Sequence, residues 1–319
     1  MSFDKQKFSI PWDWVLVIIS LVGANLVIKS QVNTNLRIRS YVNEAVELSK
    51  RDMEKKPGID ILILGDSRSA EIDTQVLRSS LNPQSIEIQN ASSNSGSWVS
   101  SYSLLRMAQN KLTEDATTIL CVSEYWLEQP DYQTRAGILP AFRDYWALGQ
   151  PALSITALLP LSAKRGQIVN GARQWSESLF HGPGQEDPLN DYYKGMKKSN
   201  VDLWFSPIKK EQIAKNLAFA DHALRKIKEM APNLILVYLP NAKKRESYVE
   251  KEYKGRKKRF LENITRLSRK HDLRFENLSN KEELTRDGLY KDFHHWNDEG
   301  VQEGTEWLAK RLTDLQAPE

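Results

Sequence analysis

The chain has 319 residues, of which 40% are hydrophobic and 27% are charged. This balance suits one large globular domain with attachments and excludes a fibrous or fully disordered protein. The formal net charge is +4 and no basic recognition motif accompanies it, so we predict no nucleic-acid partner. The single Cys121 excludes an internal disulfide and a cysteine-based zinc site, and its apolar neighbours predict burial.

An apolar segment close to the N-terminus predicts a membrane anchor. Most residues between Trp12 and Lys29 are apolar. About 20 apolar residues span a bilayer, so segment 11–29 reaches that length with its flanks in the interface. A cleaved signal peptide is the alternative, but the segment has no clean A-x-A cleavage site. We therefore predict an N-terminal tail (1–10), a single-pass signal anchor (11–29) and a location at the cell membrane.

Residues 30–57 show a loose helical spacing of apolar side chains that ends before Pro57 and Gly58, which predicts a stalk helix. A domain from 58 to 319 follows it. The charges on the two sides of segment 11–29 do not decide the orientation of the domain.

Five apolar segments of strand length alternate with helical segments along this domain, and the helical segment after the second strand is SYSLLRMAQNKL (101–112). Continuous apolar runs of this kind are typical of strands that are buried on both faces of a parallel sheet. The candidate strands are IDILILGDS (59–67), SIEIQNAS (85–92), ATTILCVSEYW (116–126), NLILVYLPNA (233–242) and LRFENLSN (273–280). The alternation predicts an α/β fold with a doubly wound parallel sheet, in which ligands bind at the carboxyl ends of the strands.

The loop after the first strand reads Gly65-Asp66-Ser67. A glycine allows a sharp turn, and a serine at the start of the next helix would direct its backbone N–H at a developing oxyanion. Asp and Ser are also good helix N-caps, so capping alone is an alternative explanation. The segment is not a G-x-S-x-G elbow, because Ser69 stands at the position of the second glycine.

Two further loops carry candidate site residues. In NASSNSGSW (90–98), Gly96 could bring a backbone N–H to the site, and Asn90 or Asn94 could fix the loop or donate a hydrogen bond, although an ordinary polar turn is the alternative. In DGLYKDFHHWNDEG (287–300), the D-x-x-H spacing of Asp292 and His295 would let the carboxylate orient the imidazole.

A metal site with Asp292 and Glu299 as oxygen ligands is an alternative for the last loop, as is helix capping. We predict no metal, because no third well-placed His or Cys accompanies them. No glycine-rich phosphate loop is present in the sequence, and we predict no cofactor.

These loops give the chain a resemblance to the SGNH (GDSL) hydrolase superfamily over residues 58 to about 315. The resemblance rests on Gly65-Asp66-Ser67, the Gly96 loop, and Asp292-x-x-His295 followed by Trp296-Asn297-x-x-Gly300. It implies a three-layer flavodoxin-like sandwich. It also implies that Ser67 is the nucleophile, that His295 is its base and that Asp292 orients His295. The backbone N–H groups of Ser67 and Gly96 would form the oxyanion hole.

One block departs from the superfamily pattern. Where the superfamily has G-x-N-D after its third strand, this chain reads CVSEYW, with Glu124 and Tyr125 in place of the Asn donor. Asp66, Asn94, Glu124 and Tyr125 are therefore only possible site-lining residues. Some members that depart here are similar to a membrane-anchored subgroup, which includes the D-alanylation protein DltD and the alginate O-acetylation proteins. The order of anchor, stalk and domain in this chain is similar to theirs, which implies an outward-facing domain.

The resemblance implies a membrane-anchored acyl-ester enzyme that transfers or removes O-acetyl groups on an extracytoplasmic glycan. Its implied partners are a cell-surface glycan or acylated polymer, a membrane-bound O-acyltransferase, and the membrane through the N-terminal helix. The alternatives are a general esterase or lipase and a non-catalytic assembly subunit for such an acyltransferase.

An insertion from about 127 to 207 interrupts the alternation of strands and helices. It is rich in aromatic residues, Gly and Pro. Its aromatic side chains could stack on sugar faces or contact a membrane partner, or they could form a small hydrophobic subcore under a long loop.

Overall fold

The structure, a computed structural model, describes residues 44–45, 47–48, 51, 57–81, 86–94, 96–129, 142–149 and 208–316. The predicted tail at 1–10, the predicted anchor at 11–29 and most of the predicted insertion lie outside these residues. Within the part of the chain that is described, no helix combines the length and the apolar character needed to cross a bilayer.

A parallel sheet of five strands forms the centre of the described domain, in the order β2-β1-β3-β4-β5. The strands are β1 (Ile59–Leu64), β2 (Ile88–Asn90), β3 (Leu112–Val122), β4 (Asn233–Tyr238) and β5 (Arg274–Asn277). Each of the five predicted strands overlaps one of them, so the predicted α/β fold with a parallel sheet is confirmed.

Helices cover both faces of this sheet. The α-helices are α1 (Thr74–Ser80), α2 (Trp98–Ala108), α3 (Tyr125–Glu128), α4 (Phe142–Ala147), α5 (Lys210–Met230), α6 (Lys243–Glu252), α7 (Arg256–Lys270), α8 (Glu282–Thr285) and α9 (Asp298–Gln316). Short 3-10 helices lie at Ser69–Glu71, Gln109–Lys111, Leu278–Asn280 and Asp287–Leu289.

The apolar runs of the central strands divide between two cores because alternate side chains of a strand point to opposite faces. In β1, Leu62 and Leu64 join the core under α2, α5 and α7, whereas Ile61 and Ile63 join the core under α1 and α9. The strands β3 and β4 alternate in the same way. Burial of both faces explains why these strands appear in the sequence as continuous apolar runs.

Some boundaries differ from the predicted ones. We expected a helix from 101 to 112, but α2 starts at Trp98 because Ser97 caps it: the Ser97 hydroxyl accepts the Ser100 N–H, and the Ser100 hydroxyl accepts the Ser97 N–H. The third strand ends at Val122, and a short helix (α3) takes up the remainder of the predicted strand.

Parts of the predicted stalk and insertion pack against the domain. Leu48 is fully buried in the larger core, and the Arg51 guanidinium donates to the Gln89 side chain and to the Pro57 carbonyl. In α4, the buried Asp144 carboxylate accepts hydrogen bonds from Ser103 and Arg106 of α2. Residues of the predicted stalk (Leu48 and Arg51) and of the predicted insertion (Asp144) therefore pack against the sheet and its helices.

The strand order changes direction between β1 and β3, because the chain moves from β1 outward to β2 and then returns to the other side of β1. A crevice at such a switch point, outside the carboxyl ends of the strands, is where ligands bind in open α/β sheets. The loop after β1 opens at this place.

Candidate active site

Ser67 lies three residues beyond β1, in a turn that a glycine makes possible. Gly65 has a φ of +155°, and a Cβ there would lie 2.3 Å from the Ser69 hydroxyl oxygen and 2.9 Å from the Cβ of Cys121. Only a glycine fits so close to β3 with this backbone conformation. The Ser69 hydroxyl also donates to the Asp66 carbonyl at 2.9 Å, which closes the turn and holds Ser67 at the sheet edge.

His295 lies in a tight loop before α9. The ends of the loop, Tyr290 and Trp296, form an isolated antiparallel bridge, and the Lys291 N–H donates to the His295 carbonyl at 3.0 Å. Inside the loop, Oδ1 of Asp292 accepts the backbone N–H of His294 at 2.8 Å and that of His295 at 2.7 Å. Asp292 therefore fixes the local fold of the loop as well as contacting its imidazole.

Ser67, His295 and Asp292 form a continuous chain of hydrogen bonds, which we call the triad. Nδ1 of His295 lies 2.6 Å from Oδ2 of Asp292, and Nε2 of His295 lies 2.9 Å from Oγ of Ser67. With neutral histidine, this geometry fits a tautomer in which Nδ1–H donates to the carboxylate and Nε2 accepts the serine hydroxyl. The imidazole is then in position to take the serine proton.

The electrostatic environment keeps the carboxylate ionised. Burial would raise the pKa of Asp292, but the hydrogen bond and charge of His295, with the backbone N–H groups of His294 and His295, outweigh it and lower the pKa. Burial, together with the charges of His295, Arg245 and Arg68, lowers the pKa of the neighbouring His294 well below its usual value. His294 therefore remains neutral where an ordinary histidine would become charged.

The predicted oxyanion hole is found only in part. Among the described residues, no acceptor takes the N–H of Ser67, so that donor is available to an oxyanion. The N–H of Gly96 instead donates to the Ser93 carbonyl at 2.8 Å, which corrects the prediction that it points into the site. A Cβ on Gly96 would lie 1.9 Å from the Gly65 carbonyl oxygen, so this glycine provides close approach between two loops.

Asn90, one of the two asparagines that we expected to fix the loop after β2, does hold this loop. The Asn90 side chain donates to the carbonyls of Ser69 and Ile72 at 2.8 and 3.2 Å, and it accepts the N–H of Ser92 at 3.1 Å. Asn94 lies half-buried in the turn of the same loop. The Asn90 contacts tie this loop to the 3-10 helix that follows Ser67.

Asp66, a possible site-lining residue from the sequence, pairs with Arg68. Its Oδ1 accepts the N–H of Arg68 at 3.0 Å, and its carboxylate pairs with the buried Arg68 guanidinium. The guanidinium also donates to the Val122 carbonyl at 3.3 Å and to the Leu239 carbonyl at 3.4 Å. These carbonyls lie at the ends of β3 and β4, so Arg68 connects three strand ends under Ser67.

Glu124 and Tyr125, which the sequence marks only as possible site-lining residues, belong to a buried charge cluster around Arg245. Arg245 of α6 donates to Oε1 of Glu124 at 2.9 Å and to the Tyr125 hydroxyl at 2.6 Å. Burial would raise the pKa of Glu124, but the charges of Arg245 and Arg68 outweigh it and lower the pKa. The Glu124 charge is thus directed at Arg245.

Three residues near the triad were missed by the sequence reasoning. Arg68 and His294 are each adjacent in sequence to a predicted triad residue, and that adjacency is the signal that the sequence offers. The structure adds that both side chains are buried. Glu71 follows Ser67 by four positions, but its contact with Trp296, 225 residues away, has no signal in a single sequence.

Asp292, His294 and His295 offer possible metal-ligand atoms within 4.8 Å of one another. Asp292 and His295 are already engaged with each other, and His295 also contacts Ser67. The hydrogen bonds of the triad account for this grouping, and we assign no metal to it. Glu299, the other ligand considered from the sequence, lies exposed at the start of α9.

Comparisons with known proteins add little to this geometry. The chain matches no protein-family model, and a search of curated proteins finds no matching relative. Among solved structures it is similar to "a putative platelet activating factor from Streptococcus pneumonia", with 12% identity and a TM-score of 0.48. That similarity covers 91% of this chain and 98% of the other. At these values the activity of that protein says nothing about the activity of this chain.

Proposed function

We propose that this protein is a serine-dependent acyl-ester enzyme. The observation that carries the proposal is the hydrogen-bonded triad, with 2.9 Å between Ser67 Oγ and His295 Nε2 and 2.6 Å between His295 Nδ1 and Asp292 Oδ2. A nucleophile within hydrogen-bond reach of a base, which a third group orients, is the arrangement that activates a serine hydroxyl.

In the proposed mechanism, Ser67 Oγ attacks the ester carbonyl carbon while its proton passes to Nε2 of His295. The carbonyl oxygen becomes an oxyanion, which the Ser67 N–H stabilises. When the tetrahedral intermediate collapses, the bond to the leaving oxygen breaks and the imidazolium returns the proton to it. Asp292 remains ionised and holds the tautomer throughout.

The acyl group then rests on Ser67 as an ester. A second hydroxyl compound attacks that ester, and His295 takes its proton and returns it to Ser67 Oγ. Hydrolysis results when the attacking compound is water, and transfer results when it is a sugar hydroxyl.

We further propose that the enzyme is an O-acetyl transferase or esterase of the SGNH type. It would act on an extracytoplasmic glycan while an N-terminal anchor holds it at the membrane. Its support is the resemblance of the Ser67 and His295 segments to that superfamily, together with the apolar segment at 11–29. A cell-surface polymer and a membrane-bound O-acyltransferase are the proposed partners.

One observation favours a second candidate, a non-catalytic assembly subunit for such an acyltransferase. The Gly96 N–H is taken by Ser93, and the segment after β3 directs Glu124 at Arg245 instead of offering a donor to the site. Among the described residues, the Ser67 N–H is the one donor that we assign to the oxyanion. Each oxyanion-hole donor contributes about 10²–10³ to the rate, so the loss of the other expected donor would weaken catalysis.

The proposed activity is tested by turnover of a chromogenic acetyl ester by the purified full-length chain in detergent. Ser67→Ala and His295→Ala are the comparison variants. We expect measurable turnover that both substitutions reduce to the background rate.

A folded wild-type protein with no turnover above background would contradict the acyl-ester proposal. Cellular function that survives Ser67→Ala would establish the assembly-subunit candidate in its place. The general esterase alternative predicts robust turnover of the small ester without a glycan acceptor.

A further inference from the structure

Glu71 links the segment that carries Ser67 to the loop that carries His295. It ends the 3-10 helix Ser69–Glu71, and its Oε2 accepts the backbone N–H of Trp296 at 2.8 Å. Its Oε1 lies 2.6 Å from Nζ of Lys291. One carboxylate therefore holds both ends of the loop against the nucleophile segment.

These two contacts lie at the base of the loop, whereas the hydrogen bonds that Asp292 accepts from the N–H groups of His294 and His295 lie in its interior. Lys291 donates its N–H to the carbonyl of His295, and Trp296 is the next residue in the chain. A displacement of Glu71 would therefore move the base of the loop, and with it the distance between His295 Nε2 and Ser67 Oγ.

Glu71 also brings a second negative charge near the imidazole. Its side chain is 14% exposed. Burial raises the pKa of Glu71, and the charge of His295, the hydrogen bond and charge of Lys291 and the Trp296 N–H act against that rise.

Within the described part of the chain, the titratable and charged groups around His295 include Asp292 and His294 of its own loop, Glu71 of the neighbouring 3-10 helix, and Lys291, which is paired with Glu71. Arg68 and Arg245 contribute positive charge at the adjacent His294. Glu71 is thus a second carboxylate that acts on the imidazole, besides Asp292.

We infer that Glu71 is a positioning residue for the proposed reaction. It holds the His295 loop against the Ser67 segment, and its charge stabilises the imidazolium that forms when His295 takes the serine proton. This inference rests on the proposed function. It gives His295 a second carboxylate, besides Asp292, that positions the imidazole and stabilises its charged form.

The test is the rate at which a fluorophosphonate labels Ser67 in the purified full-length chain, measured from pH 5 to pH 9. Glu71→Gln retains a carbonyl acceptor for the Trp296 N–H and removes the charge. Without that charge the imidazolium is less stable, so neutral imidazole persists to lower pH. We expect the midpoint of the acid limb to move down by about one pH unit.

Lys291→Met provides a second variant with the opposite expected sign. It leaves the Glu71 charge uncompensated beside the imidazole, so the midpoint should move up. Glu276→Gln is the matched control, because it removes a carboxylate from the ion pair with Arg311 at β5, on the far edge of the sheet from Ser67. Its midpoint should equal that of the wild type.

Opposite shifts in the Glu71 and Lys291 variants would support the inference. An unchanged midpoint in both, with normal labelling of the wild type, would overturn it while leaving the proposed function intact. A rate that falls equally at all pH values, with the midpoint unmoved, would also overturn it, because a purely structural brace produces that result. Absence of labelling in the folded wild type would overturn the proposed function itself, and this inference with it.

Discussion

Nε2 of His295 lies 2.9 Å from Oγ of Ser67, although 228 residues separate them in the chain. The parallel sheet brings them together, because the loop after β1 opens at the switch point between β1 and β3. The loop before α9 then packs over that point, where Glu71 holds its base.

Asp292→Asn should lower the rate of Ser67 labelling by about 10³–10⁴ without unfolding the protein. The amide cannot hold the tautomer in which Nε2 accepts the serine proton, and it cannot stabilise the imidazolium. Labelling kinetics at neutral pH measure the effect. Asp287→Asn is the control, since that exposed carboxylate accepts the Lys244 N–H and does not contact the triad. Equal rates for Asp292→Asn and the wild type would exclude a role for the carboxylate.

Arg68→Met should reduce the free energy of unfolding by about 3–5 kcal/mol, the range for removing one partner of a buried ion pair. It removes the guanidinium that donates to the Asp66 carboxylate and to two carbonyls at strand ends, and of the donors from residue 68 only its backbone N–H still donates to Asp66. Urea denaturation provides the measurement. Arg78→Met removes a more exposed guanidinium, paired with Glu87, and should cost no more than about 1 kcal/mol. Equal losses in the two variants would show that Arg68 does not brace the strand ends.

Gly96→Ala should destabilise the protein by about 1–3 kcal/mol or more, because the new methyl group would lie 1.9 Å from the Gly65 carbonyl oxygen. The displaced Gly65 turn should also slow Ser67 labelling. Gly288→Ala is the control, since a Cβ there meets nothing within 4 Å. Unfolding free energy and labelling rate, measured on both variants, check the prediction. A fully stable Gly96→Ala protein would mean that the two loops do not approach so closely.

The His294→Gln variant should lose less free energy of unfolding than the wild type as the pH falls. The folded-state pKa of His294 lies well below its ordinary 6.5 because burial disfavours the charged ring. The unfolded state therefore binds a proton first as the pH falls below 6.5, and the contribution of His294 to stability declines from that pH downward. Urea denaturation of the wild type and the variant between pH 7 and pH 5 should show a smaller slope for the variant. Identical slopes would contradict a buried neutral His294.

The sequence was sufficient to predict the sheet, because strands buried on both faces leave continuous apolar runs that differ from helical periodicity. It was less accurate about boundaries. Ser97 moved the start of α2 to Trp98 through a capping box, a local contact that apolar spacing does not report. The triad residues were identified because Ser67, Asp292 and His295 lie in short segments with a recognisable order.

The errors lie where a side chain's direction depends on distant residues. Glu124 was predicted only as a possible site-lining residue, and its pairing with Arg245, 121 positions later, was not predicted. Gly96 was expected to donate to the site, but its N–H turns back to Ser93 because the loop packs against the Gly65 carbonyl. A single sequence contains no information about either choice.

The most direct test of an activated Ser67 is to treat the full-length protein with a fluorophosphonate and find the modified peptide by mass spectrometry. Oγ of Ser67 displaces fluoride from phosphorus, and His295 takes the serine proton, so the adduct forms quickly only where the triad works. We predict an adduct on Ser67 that is absent in Ser67→Ala and strongly reduced in His295→Ala. A folded wild-type protein that carries no adduct on Ser67 would contradict the account.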